Sequence, residues 1–143
     1  MELWPGAVMN VHGRVQFMRN ARADVKRDGC LSIGGGTYFN EYAHIDCATN
    51  ISVGAGCAIA RRVVVMDSDA HELSHADASG RRTAPVTIGD GCWLADGAIV
   101  LKGVSIGAGT VVGARALVTR STEGGQLLIG HPARERGPVS WRL

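Results

Sequence analysis

The chain has 143 residues, with 15 Lys and Arg against 13 Asp and Glu; the net charge of +2 points to no particular partner. The arginines are scattered and aromatics make up only 5% of the chain, which argues against a nucleic-acid-binding surface. Glycine is abundant at 20 residues, roughly twice its usual share, so the composition reads as many tight turns around a narrow interior. No apolar run approaches the ~18 residues of a membrane-spanning helix. The opening MELWPGAVMNVHG lacks a basic n-region and a long apolar h-region, so no signal peptide is expected. Cys30, Cys47, Cys57 and Cys92 form no CxxC pair, which disfavours a zinc ribbon or redox motif. Reduced thiols in the cytoplasm are the expected state.

In chain order, Val15 and Val25 fit a repeat only loosely. From Ile33 the spacing becomes regular: Ile33, Phe39, Ile45 and Ile51 step by six. The frame then slips by two, and Val53, Ile59 and Val65 step by six again. A polar stretch, MDSDAHELSHADASGRRTAP, interrupts the pattern at residues 66–85. The run VTIGDGCWLADGAIVLKGVSIGAGTVVGARALVTR then resumes it strictly, with Ile88, Leu94, Val100, Ile106, Val112 and Val118 six apart. The fifth place of each hexad in this run is small to medium: Cys92, Ala98, Val104, Thr110 and Ala116.

A period of six matches neither the 3.6 of a helix nor the 2 of a strand. Six residues make one short strand plus a turn, and three such units close a triangular coil of about 18 residues that stacks on the next at ~4.8 Å with parallel pairing. The aliphatic residue points inward and the small fifth residue leaves it room, so Cys57 and Cys92 are expected as core residues. The whole chain, 1–143, is expected to be one all-β domain: a parallel β-helix of roughly five coils, with one excursion loop at about 72–86 and a short C-terminal tail. Insertions in repeat folds gather on the binding face, which draws attention to the loop.

Three stretches in order resemble the left-handed β-helix acyltransferases of the hexapeptide-repeat superfamily. They are the run from IGDGCWLADG to LVTR, the GHPAR of residues 130–134, and DSDAHEL, where His71 ends a coil just before the excursion. The similarity spans roughly residues 33–134 and is greatest to sugar and polysaccharide O-acetyltransferases. It implies an enzyme, usually a homotrimer with sites between subunits, that moves acetyl from acetyl-CoA to a saccharide or other small-molecule hydroxyl, with no metal.

His71 is the implied general base, since a neutral imidazole suits activation of an alcohol. Asp67, Asp69 and Glu72 flank it, and Asp69 is the preferred partner to orient the ring. Tyr38 and Asn40, in TYFNEY, match a Tyr-x-Asn that faces the acceptor in galactoside-type enzymes; the acidic residue expected further on is replaced by Cys47, with Asp46 beside it. For acetyl-CoA the resemblance implies Ala95, Asp96 and Ala114 near the pantetheine arm, Trp93 at a place where the family often has Trp, and Thr119, Arg120 and Arg134 near the adenosine phosphates, where a guanidinium grips phosphate oxygens. Asp96 and Arg115 depart from the small residues usual at their places. The loop of residues 72–84 is expected to cover the acceptor.

Two other functions fit a β-helix. A γ-class carbonic-anhydrase-like zinc enzyme needs three histidines, for which His44, His71 and His75 are available. A non-catalytic scaffold or sugar-binding subunit needs none. Affinity for CoA separates both from the acyltransferase. IGGGT, residues 33–37, lacks the spacing and the following helix of a phosphate loop.

Overall fold

The computed structural model describes residues 1–72 and 81–142, and among these there is no helix. Short strands stack into a parallel β-helix of about five turns with three flat sheets. The first sheet holds Glu2–Leu3, Arg22–Val25, His44–Cys47, Val64–Met66, Ile99–Val100 and Leu117–Val118. The second holds Val8–Val11, Cys30–Ile33, Asn50–Val53, Val86–Ile88 and Ser105–Ile106. The third holds Gln16–Phe17, Tyr38–Phe39, Ala58–Ile59, Trp93–Leu94, Val111–Val112 and Gln126–Gly130, closed by the antiparallel strand Ala133–Pro138. The GHPAR motif is the turn of that closing hairpin.

The inward positions are those the hexads predict. Ile88, Leu94, Val100, Ile106, Val112 and Val118 are all buried, as are Cys92, Ala98, Val104, Thr110 and Ala116. Register explains why the earlier coils read as degenerate. Ile99 stands opposite Leu117, but Glu2 stands opposite Asp24 and Asp24 opposite Asp46, so the early coils are longer. Their four-residue strands each point two side chains inward: Ala23 and Val25, Leu31 and Ile33, Ile45 and Cys47, Ile51 and Val53. The frame slip between Ile51 and Val53 is therefore one strand with two core residues.

At the second–third edge the turns stack too closely for side chains. A Cβ on Gly54 would fall 2.6 Å from Asp90 N, and one on Gly107 would fall 2.2 Å from Gly124 N. Beside this column runs a buried row of short donors. Thr37 Oγ1 donates to Gly54 O at 2.7 Å, Cys57 Sγ to Gly89 O at 3.2 Å, Cys92 Sγ to Gly107 O at 3.3 Å and Thr110 Oγ1 to Glu123 O at 3.2 Å. Each satisfies a carbonyl one coil further on, so the cysteines act as structural equivalents of threonine.

All four cysteines are free, and only Cys30 is not fully buried. Burial, with the Asp67 charge beside it, pushes the Cys47 thiol up from 9.0 to about 12. We expect only Cys30 to react with Ellman's reagent in the native protein at pH 8, the other three reacting after unfolding. A raised folded-state value favours the fold while the unfolded thiol stays protonated, so the Cys47 contribution is complete below pH 9 and is lost as pH rises toward 12. Denaturant titrations at pH 8 and pH 10.5 check the sign.

Candidate functional site at the first–second edge

The excursion leaves the coil after Val64–Met66. Asp67 follows in the inward row of Val25 and Cys47 and is completely buried. Its carboxylate accepts hydrogen bonds from the backbone N–H groups of Ala48 (2.6 Å), Thr49 (2.8 Å) and Asn50 (2.7 Å) and from the Thr49 hydroxyl (2.9 Å). Asp67 thus secures the preceding coil's turn and is not available to a neighbouring imidazole. Beyond it the chain forms a narrow antiparallel neck. Ala84 N donates to Asp67 O and Asp69 N to Arg82 O, both at 3.0 Å, around a Ser68–Thr83 bridge.

At the end of this neck Ala70 adopts φ 63°, and His71 N donates to Asp69 O at 2.7 Å. This is a γ-turn of the rare, strained hand. Its cost of roughly 1–3 kcal/mol is borne by the ladder beneath it. His71 is exposed. The Asp69 carboxylate lies 2.6 Å from Lys102 Nζ, which also donates to Arg81 O. Asp69 therefore ties the neck to the next coil, and Glu72 is exposed. His75 and most of the loop expected over the acceptor lie outside the described residues.

One cavity adjoins this turn, and a second lies at the C-terminal end of the coils. Toward the N-terminal coils, one of about 420 Å³ is lined by Trp4, Lys26, Arg82 and Ala70, among others. Toward the C-terminal end, one of about 280 Å³ is lined by Arg120 and Arg134 together with Thr122 and Glu135, whose side chains are hydrogen-bonded to each other. Thr119 is exposed beside it.

The remaining candidate residues stand elsewhere. Tyr38 and Trp93 lie on the outer face of the third sheet, on either side of Ala58 in register. Trp93 packs against Trp141 with ring centroids 5.9 Å apart, and Trp141 Nε1 donates to Gly91 O at 2.7 Å. Asn40, Ala95, Asp96 and Ala114 form a column of turns at the third–first edge. There Asn40 Oδ1 accepts from Glu41 N (2.9 Å), Ala95 N donates to Val112 O (2.8 Å), and Asp96 O accepts from Arg115 N (2.9 Å). The Asp96 carboxylate is 4.0 Å from Arg62 and Ala114 is exposed. Within one chain the two groups occupy opposite edges of the first sheet, separated by the length of a strand, on the order of 10 Å.

The family described as bacterial transferase hexapeptide (six repeats) matches residues 85–120. Nodulation protein L of Rhizobium meliloti is 38% identical over 142 residues, covering 95% of this chain and 69% of that protein. The chain belongs to the hexapeptide-repeat acyltransferase family. It is also 28% identical to a putative lipopolysaccharide biosynthesis O-acetyl transferase of Escherichia coli over 79% of its own length, and it spans only 63% of that relative. The solved polysialic acid O-acetyltransferase OatWY has the same fold, with a TM-score of 0.85, 24% identity and coverage of 98% of this chain and 68% of that one.

In this hexapeptide-repeat protein the structure adds residues that the sequence alone did not single out. Lys102 stands among small and apolar residues, and nothing local ties it to Asp69. Trp4, Lys26, Arg27 and Arg82 come from three different coils and meet only at the edge. Among the described residues no three His, Cys, Asp or Glu side chains converge as metal ligands. His44 lies on the outer face of the first sheet with Nε2 2.9 Å from Asp24 Oδ2.

Proposed function

We propose that this chain transfers an acetyl group from acetyl-CoA to a saccharide hydroxyl, with His71 as general base. The observation that carries the proposal is the position of His71 on a strained turn whose Ala70 lines one cavity, with a second cavity bounded by Arg120 and Arg134 toward the C-terminal end. The membership of the family and the named role of the Escherichia coli relative support it.

In the proposed step the acceptor hydroxyl gives its proton to the His71 imidazole as its oxygen attacks the thioester carbon in a ternary complex. Backbone N–H groups stabilise the oxyanion. The C–S bond breaks, and the departing CoA sulfur takes the proton from the imidazolium. Arg120 and Arg134 bind the adenosine phosphates, with Thr119 beside them.

The opposite-edge placement of Asn40, Ala95, Asp96 and Ala114 favours a site completed by a second copy, as in a homotrimer. A neighbouring chain's third–first edge then brings Tyr38 and Asn40 to the acceptor and Trp93, Ala95, Asp96 and Ala114 to the pantetheine arm. Val64, Met66, Ile99 and Leu117 project from the first sheet and are only half-buried in the single chain, as suits a face between copies.

Calorimetric titration with acetyl-CoA tests the proposal. Micromolar binding saturating at about one per chain is expected, weakened about tenfold in Arg134→Ala through loss of a charge-assisted phosphate contact. An absence of binding refutes it.

A further inference from the structure

We propose that the acceptor is an anionic sugar, whose negative group is held by Arg27 and Arg82 in the cavity next to His71. This rests on the reading of His71 as the transfer centre and goes beyond it in naming the acceptor's chemistry.

The cavity adjoins the turn that presents His71. Ala70, the residue at φ 63°, is part of its lining, and Arg82 sits across the neck from Asp69. Three cations and one carboxylate face the space: Lys26, Arg27, Arg82 and Asp46. Lys26 is already engaged. Its Nζ lies 3.2 Å from Asp46 Oδ1 and 5.4 Å from the Trp4 ring centroid. Arg27 and Arg82 remain, both exposed, and no ion pair to either occurs among the described residues. Two guanidinium groups at the mouth of a cavity of about 420 Å³ suit a planar carboxylate or a phosphate oxygen, which each can grip through paired N–H donors.

Trp4 supplies the other half of a sugar site. It is 44% exposed, and an indole that is apolar in body and partly wet is a platform for the C–H face of a pyranose ring. A neutral acceptor would form no ion pair with either guanidinium group. An anionic one satisfies them while the ring rests on Trp4 and a hydroxyl reaches toward His71. Acetyl-CoA phosphates are the competing anion, but Arg120 and Arg134 line the separate cavity at the C-terminal end.

The test is binding without turnover, in the His71→Ala protein saturated with CoA. Three probes are titrated: a galacturonate trisaccharide, its methyl ester with the same hydroxyls, and glucose 6-phosphate. At least tenfold tighter binding of the uronate than of the ester is expected, weakening with salt and lost in Arg27→Gln/Arg82→Gln. Tight binding of the sugar phosphate instead, with the same loss in the double variant, assigns the charge to phosphate and still supports an anionic acceptor. Equal affinity for acid and ester with no gain for the phosphate overturns the proposal. So does a double variant that weakens acetyl-CoA and leaves sugar binding unchanged. Charge-selective sugar binding without thiol release from acetyl-CoA in the wild type sinks the transferase reading and leaves the anionic site standing.

Discussion

Replacing His71 by alanine is expected to lower kcat for acetyl transfer by about 10²–10⁴-fold, the range a positioned general base contributes. Acetyl-CoA affinity should stay within a factor of about two, because the proposed phosphate contacts of Arg120 and Arg134 lie in a separate cavity. The size of the loss follows from the nucleophile. A sugar hydroxyl is almost wholly protonated at neutral pH, whereas a CoA thiolate leaves with little acid help, so the base carries most of the acid–base burden. A variant with near-wild-type turnover would show that another group removes the proton. Thiol release measured with a saturating acceptor distinguishes the outcomes.

Asp67→Ala is expected to destabilise the fold by about 3–5 kcal/mol, as for loss of a buried, fully hydrogen-bonded charge. The substitution removes four hydrogen bonds and leaves the N–H groups of Ala48, Thr49 and Asn50 without their acceptor. For a chain of this size a loss of that order lowers Tm by about 10 °C or more. Asp67→Asn keeps an acceptor oxygen and should lose about half as much, since the amide nitrogen cannot receive a backbone N–H. Calorimetric melting of the two variants checks the order. Equal, small losses would mean that the turn at Ala48 and Thr49 finds other partners. Because this carboxylate also anchors the base of the neck to the preceding coil's turn, the alanine variant should lose activity at temperatures where the coil itself is still folded.

The frame slip at Ile51 and Val53 shows how far pattern reading goes. The hexad count detected an irregularity there but could not say that one longer strand carries two inward side chains, because a linear count does not distinguish a longer strand from a longer turn. In the later coils, where every strand has its shortest length, inward residue and small partner recur at fixed places, and reading them from sequence needs no partner at a distance. The three carboxylates near His71 show the opposite case. Asp67 and Asp69 both flank the imidazole in sequence, with Asp69 preferred as its partner, yet Asp67 turns inward to amides one coil back and Asp69 reaches Lys102 one coil on.

By itself the sequence determined the β-helix, the coils from Ile33 onward, the core rows and the point at which the chain leaves the coil. These are set by a local, repeated choice of residue, so any one hexad carries the information. Only the tertiary structure decided which residues share an edge. Stacking coils of unequal length brings Trp4, Lys26, Arg27 and Arg82 together beside His71, and it sets Asn40, Ala95 and Ala114 a sheet's width away. The physical reason is that an edge gathers one turn from every coil, and which turns align depends on the accumulated register of all the strands before them.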